Sequence, residues 1–183
     1  MRTSGLTADV CLRGRVLRDP ASAERLLPEW NSLWSRCPHV TTFQRPDWLL
    51  AWMRSFEPSQ PLLIEIRCND HLVGLAPLLV YQSGAEKVLA LMGGGVSDYL
   101  DILVDPDFAN QTLTIIWNHI KEEPAWTTLD LGIRYTTKIE STPVTLRANV
   151  QNVTGANYWA STGRGILSPG APRTYLLSAS FDF

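Results

Sequence analysis

The chain has 183 residues, 45% of them hydrophobic, and a formal charge of −2 at pH 7. That is enough apolar content for an ordinary domain with its own core, and it excludes a disordered chain. The near-neutral balance leaves no basic footprint for nucleic acid, and no apolar run approaches the roughly 18 residues of a membrane-spanning helix.

The N-terminus reads as an extension over residues 1–20. Asp9 and Arg13 interrupt its apolar residues, so it lacks the roughly 7–15-residue apolar stretch of a signal peptide and a cytoplasmic location is expected. Asp19-Pro20 then marks a helix start, an N-cap followed by proline at the first helical position. Leu26, Trp30, Leu33, Trp34 and Cys37 fall on one helical face, with Pro28 marking a kink or a fresh start. A second helix begins near Pro46 in "RPDWLLAWMRSF", with Leu49, Trp52, Met53 and Phe56 as its buried stripe. The tryptophans read as core payload.

Strands follow. "PLLIEIRC" and "HLVGLAPLLVYQ" flank the turn Asn69-Asp70, "EKVLALM" leads into Gly93–Gly95, and "YLDILV" leaves them. "PDFANQTLTIIWNHIKEE" reads as a helix burying Phe108, Leu113, Ile116, Trp117 and Ile120, and "AWTTLDL" as a further strand. This order predicts an α+β fold with helices on a mainly antiparallel sheet.

Cys11, Cys37 and Cys68 form no Cys-x-x-Cys pair, and His39, His71 and His119 are scattered. The thiols read as buried and free, and no metal site is expected. Asn110 and Asn152 head N-x-T triplets, but no secretory route is indicated.

Composition changes near residue 130. Residues 1–130 hold 11 Lys+Arg against 16 Asp+Glu, a net of −5, and residues 131–183 hold 5 against 2, a net of +3. Six of the seven tryptophans lie in the first part. Beyond it the helical periodicity gives way to alternation: Leu131, Ile133, Tyr135, Thr137 and Ile139, then Val144, Leu146, Ala148 and Val150, then Tyr175, Leu177, Ala179 and Phe181. Each segment approaches the roughly 9–11 residues of a strand that crosses a bilayer at a tilt. An antiparallel sheet with one face in water has the same alternation, so periodicity leaves both readings open.

Two resemblances sharpen this picture. "LLPEWNSLWSRCPHVTTFQRPDWLLAWMRSF", "LVGLAPLLV" and "LALMGGGVSDYLDILVDP" resemble the N-terminal half of the CelD-like acyltransferases, relatives of the GNAT and Fem-type enzymes, over residues 21–130. The specific elements are Phe-Gln-x-Pro-x-Trp and Ser-Asp-Tyr-x-Asp. The resemblance implies acyl transfer from acetyl-CoA or another acyl-CoA. The family's pyrophosphate loop, of the type Arg/Gln-x-x-Gly-x-Gly/Ala ahead of a helix, has no counterpart here. "TGRGILSPG" has the wrong spacing, and its Pro169 argues against a following helix. The expectation is therefore an acyltransferase-like but inactive chain with no cofactor-binding residues and no assigned catalytic residue.

"RYTTKIESTPVTLRANVQNVTGANYWAS" and "GAPRTYLLSASFDF", ending on Phe183, resemble the C-terminal end of a TonB-dependent siderophore receptor over residues 131–183. That resemblance implies outer-membrane barrel strands and an alternative outer-membrane location. Three strands do not close a barrel, whose smallest bacterial examples have about eight. A membrane partner is expected only if these strands assemble into a barrel, and a TonB-type partner is not expected because plug and partner-binding segment are absent. The whole reads as a chimera joined within Trp126–Gly132.

The glycine run is the remaining candidate site. A strand rather than a helix follows Gly93–Gly95, so no helix N-terminus faces a phosphate, and a turn using positive φ is the first reading. Ser97, Asp98, Tyr99 and Asp101 are the substrate-binding candidates. On a strand Asp98 and Asp101 would face opposite sides and Tyr99 and Asp101 the same side, which argues against a paired acid and base.

Overall fold

The computed structural model describes residues 12–38, 40–58, 60–83, 86–94, 96–97, 100–124, 126, 128–129, 131–139, 142–153, 155, 159–161, 167–169 and 172–181. The architecture is mixed helix and sheet, and the chain divides into two compact units, residues 1–79 with 91–123 and residues 80–90 with 124–183.

The first unit opens with strand β1 (Leu12–Leu17), which lies in the segment read as an extension. Leu12, Gly14 and Val16 alternate with exposed Arg13 and Arg15; the two arginines hide the strand period from a search for apolar runs. Helix α1 (Pro20–Arg25) starts where Asp19 accepts hydrogen bonds from Ser22 Oγ and Ser22 N, the hydroxyl first and the backbone N–H second lowering the Asp19 carboxyl pKa. Helix α2 (Leu27–Arg36) restarts at Leu27-Pro28, as the proline requires. Helix α3 (Pro46–Phe56) ends on Glu57 at φ 42°. Strands β2 (Pro61–Cys68) and β3 (His71–Ser83) form the expected hairpin, with Asn69 at φ 54° in the turn.

β1 pairs antiparallel with β2, and β2 with β3. Strand β4 (Glu86–Leu91) precedes the glycine run. β5 is only Leu103–Val104, paired with Gly74–Leu75, so Leu100–Ile102 of "YLDILV" are not strand. A 3₁₀ turn at Pro106–Phe108, capped by Asp105, leads into α4 (Ala109–Glu122).

Helices cover both faces of this sheet. Leu17, Leu63, Leu75 and Leu103 pack with Ala23, Leu26, Trp30, Leu33, Leu49 and Met53 of the first three helices. On the opposite face α4 lies across an in-register row, Gly14–Ile66–Gly74. A Cβ on Gly14 would stand 2.3 Å from His119 Nε2, and one on Gly74 would stand 2.3 Å from Thr112 Cγ2. The two glycines thus let the helix approach closely.

This closeness corrects the expected α4 face. Thr112, Ile116 and Ile120 are buried, whereas Leu113 and Trp117 are exposed. The small Thr112 side chain fits over Gly74, and that contact sets the rotation of the helix. Phe56, also expected inside, is 55% exposed at the end of α3, where it stacks on Trp52.

Charges tie the first unit together. Glu65, buried on β2, accepts from Arg15 Nε at 2.7 Å and has Arg67 Nε at 3.4 Å. Arg67 also clamps Glu29 of α2, at 2.6 and 2.9 Å. That clamp holds the Glu29 carboxyl below its usual range. A depressed folded-state pKa contributes stability that is fully present above the unfolded value and is lost as pH falls through the folded one. Glu29→Gln should therefore flatten the fall of the urea midpoint below about pH 4.5, by less than about 1 kcal/mol because the pair is partly exposed. Identical acid profiles for the two chains would contradict this.

In the second unit β4 pairs parallel with β6 (Thr128–Leu129), a departure from the otherwise antiparallel pairing. β7 (Leu131–Ile139), β8 (Thr142–Gln151) and β11 (Thr174–Phe181) form a separate antiparallel sheet in the order β11–β8–β7. Strands β9 (Trp159–Ser161) and β10 (Leu167–Pro169) pair with each other. No helix of the described residues is long and apolar enough to cross a membrane.

Candidate functional site

The site is built outward from two tryptophans one helical turn apart. Trp30 and Trp34 lie on the same side of α2, and their indoles donate to backbone carbonyls of the next segment. Trp30 Nε1 reaches Gln44 O at 3.2 Å, and Trp34 Nε1 reaches Thr41 O at 3.1 Å. Between these anchors the chain makes a 3₁₀ turn at Thr42–Gln44, closed by a capping box. Gln44 Oε1 accepts from Thr41 N at 2.6 Å, and Thr41 Oγ1 accepts from Phe43 N at 3.3 Å. Buried Gln44 is thereby satisfied within its own turn. Arg45 lies 5.4 Å over the Trp34 ring and pairs with Asp47 at 3.0 Å.

Pro46 then starts α3, and its first turn presents Trp48. The ring meets Phe43 edge to face at 5.5 Å, and Trp48 Nε1 donates to Ser97 Oγ at 3.1 Å. This bond joins the Phe-Gln-x-Pro-x-Trp segment to the segment after the glycines. Met92 N donates to Pro77 O at 2.8 Å, fixing the start of the turn on β3. Gly93 has φ +104°, and a Cβ there would lie 2.6 Å from Leu100 Cδ2 and 3.0 Å from Ser97 Oγ. The turn reading of the glycines thus holds at Gly93, while Gly94 faces open space.

Of the four candidates, Ser97 is half-buried against Trp48. Asp101 is exposed and accepts from Ile102 N at 2.8 Å. Asp98 and Tyr99 lie outside the described residues, as does the strand-face argument that rests on them. Among the described residues the hydrogen-bond partner of Ser97 Oγ is the Trp48 indole. Thr41 was missed in the sequence, and Gln44 and Trp48, although part of the Phe-Gln-x-Pro-x-Trp element, were given no structural role there. The signal for them was the tryptophan pair four apart, read only as core.

Flanking this region, Arg36 Nε donates to the buried Asp105 carboxylate at 2.9 Å and Arg36 Nη2 to Leu72 O at 2.9 Å. Cys37 Sγ donates to Val104 O at 3.2 Å, and burial pushes its thiol pKa up. Cys37 and Cys68 are free, with Cys37 buried. Among the described residues no three His, Cys, Asp or Glu side chains gather as a metal cluster.

Ser97→Ala should release the Trp48 indole and cost about 0.5–1.5 kcal/mol, with a shift in tryptophan emission. Unchanged emission and an unchanged urea midpoint would contradict the contact.

No family model matches the sequence. A 68-residue stretch is 46% identical to the ferrichrome receptor FcuA of Yersinia enterocolitica, covering 36% of this chain and 9% of the receptor. The chain therefore spans under a tenth of that relative's length. Among solved structures, the ribosomal-protein-S18-alanine N-acetyltransferase of Escherichia coli is 14% identical over 92% of this chain and 94% of the enzyme, with a TM-score of 0.41. That value falls below what establishes a shared fold.

Proposed function

We propose that the first unit is an acyltransferase-type, acceptor-side body of the CelD-like kind that does not itself bind acyl-CoA. One observation carries the reading. The two segments most specific to that family, Thr42–Trp48 and the stretch after Gly93, meet through the Trp48–Ser97 hydrogen bond at 3.1 Å, beside an open turn at Gly94. Ser97 and Asp101, with Asp98 and Tyr99 of the same segment, are the proposed acceptor contacts. The donor side rests on the missing pyrophosphate loop. In "TGRGILSPG" the described residues Leu167–Pro169 form strand β10 rather than a helix N-terminus. Calorimetric titration with acetyl-CoA tests this: no saturable binding is expected, and micromolar affinity would overturn it.

A second reading concerns the tail. The 68-residue stretch that is 46% identical to a ferrichrome receptor supports descent of the last strands from the end of a TonB-dependent receptor, and hence a chimeric chain. The matched stretch of 68 residues is longer than residues 131–183. Uptake of a ferric siderophore is not carried over to this chain, because the match covers only 9% of the receptor. Recovery of the chain as a heat-modifiable outer-membrane species would overturn that part.

A further inference from the structure

We propose that the β7–β8–β11 sheet packs its apolar face against the same face of a second copy of this chain. The register sets four rungs on that face: Tyr175–Val150, Leu177–Ala148, Ala179–Leu146 and Phe181–Val144. All eight residues are apolar or aromatic. The alternate positions Ser178–Arg147, Ser180–Thr145 and Leu176–Asn149 put mostly polar and charged groups on the other side, with Leu176 its exposed apolar residue. Among the described residues Val144 is buried, but the larger side chains of this face are exposed. Leu177 is 83% exposed, Tyr175 68%, Phe181 52% and Leu146 44%, with Ile139 of β7 at 55%.

Area and shape favour a second copy as the occupant. Side chains of this size carry roughly 150–250 Å² each when aromatic, so the patch amounts to roughly 600 Å², at the top of what a monomer ordinarily leaves in water. Two such faces together bury roughly 1,200 Å², where specific stable interfaces begin. Rungs that set Leu146 beside Ala179 and Leu177 beside Ala148 alternate large and small residues. A two-fold copy can then seat its leucines over the alanines, as facing sheets about 10 Å apart do. A bilayer fits less well. Among the described residues β7 and β11 each pair only with β8, and their outer backbone groups find partners in water but not in hydrocarbon.

Sedimentation velocity of the full chain over a wide dilution series tests this without detergent. The expected result is a reversible species of twice the 20.5-kDa chain mass. Leu177→Glu should abolish it and Arg147→Glu, on the polar face, should preserve it. A monomer at every concentration would overturn the proposal. Equal disruption by both variants, or association seen only after adding phosphatidylcholine vesicles, would do the same. If Leu177→Glu fails to fold, hydrogen exchange of residues 144–150 in the unmodified chain decides. Protection that rises with concentration supports the dimer, and constant protection excludes it.

Discussion

Trp30→Ala is expected to destabilise the first unit by about 3–5 kcal/mol, among the largest losses a single core truncation produces. Trp30 has no exposed surface and sits in the cluster formed by α1, α2 and α3 on the sheet. Its removal opens a cavity at the centre of that cluster and also strips Gln44 O of its indole donor at 3.2 Å. Because that carbonyl anchors the turn that delivers Trp48 to Ser97, the consequence reaches the candidate site. Trp30→Phe separates the two effects: most packing remains, and the loss should fall to about 1 kcal/mol from the hydrogen bond alone. Urea titrations followed by far-UV circular dichroism measure both. A Trp30→Ala midpoint close to that of the unmodified chain would show that the tryptophan is not a keystone.

Gly74→Val is the second large effect. Even one added carbon would lie 2.3 Å from Thr112 Cγ2 and 3.2 Å from Ile66 Cβ. The added atoms push α4 off the sheet rather than rotating a free side chain, because Thr112 is fully buried. A loss of about 3 kcal/mol is expected, at the upper end of overpacking costs. Gly74→Val combined with Thr112→Ser removes the clashing methyl and should recover part of it. Additive losses in the pair, with no recovery, would contradict the close-approach account.

The sequence and the structure agree where one signal dominates. Asp19-Pro20 and Pro46 open helices because a fixed φ and a missing N–H suit only the first turn. Asn69-Asp70 closes the β2–β3 hairpin because Asn tolerates the left-handed region. They part where a distant contact decides. Nothing local in "TLTIIWNHI" says that Thr112 rather than Leu113 faces inward; that follows from Gly14 and Gly74, which share a sheet row but lie 98 and 38 residues before Thr112 in the chain. Strand β1 escaped notice because its outward positions are arginines. Within the candidate site, the turn at Gly93 was legible from glycine's freedom at positive φ. The Trp48–Ser97 contact was not, since it spans segments 49 residues apart.

In the proposed chimera an acyltransferase-like body and a receptor-like tail are separate pieces joined within Trp126–Gly132. Limited proteolysis of the full chain, with fragments identified by mass spectrometry, tests it most directly. The claim predicts first cuts between residues 124 and 142 and a persistent fragment that keeps β1 through α4. First cuts inside α2, α3 or the β2–β3 hairpin, with the joint left intact, would contradict it.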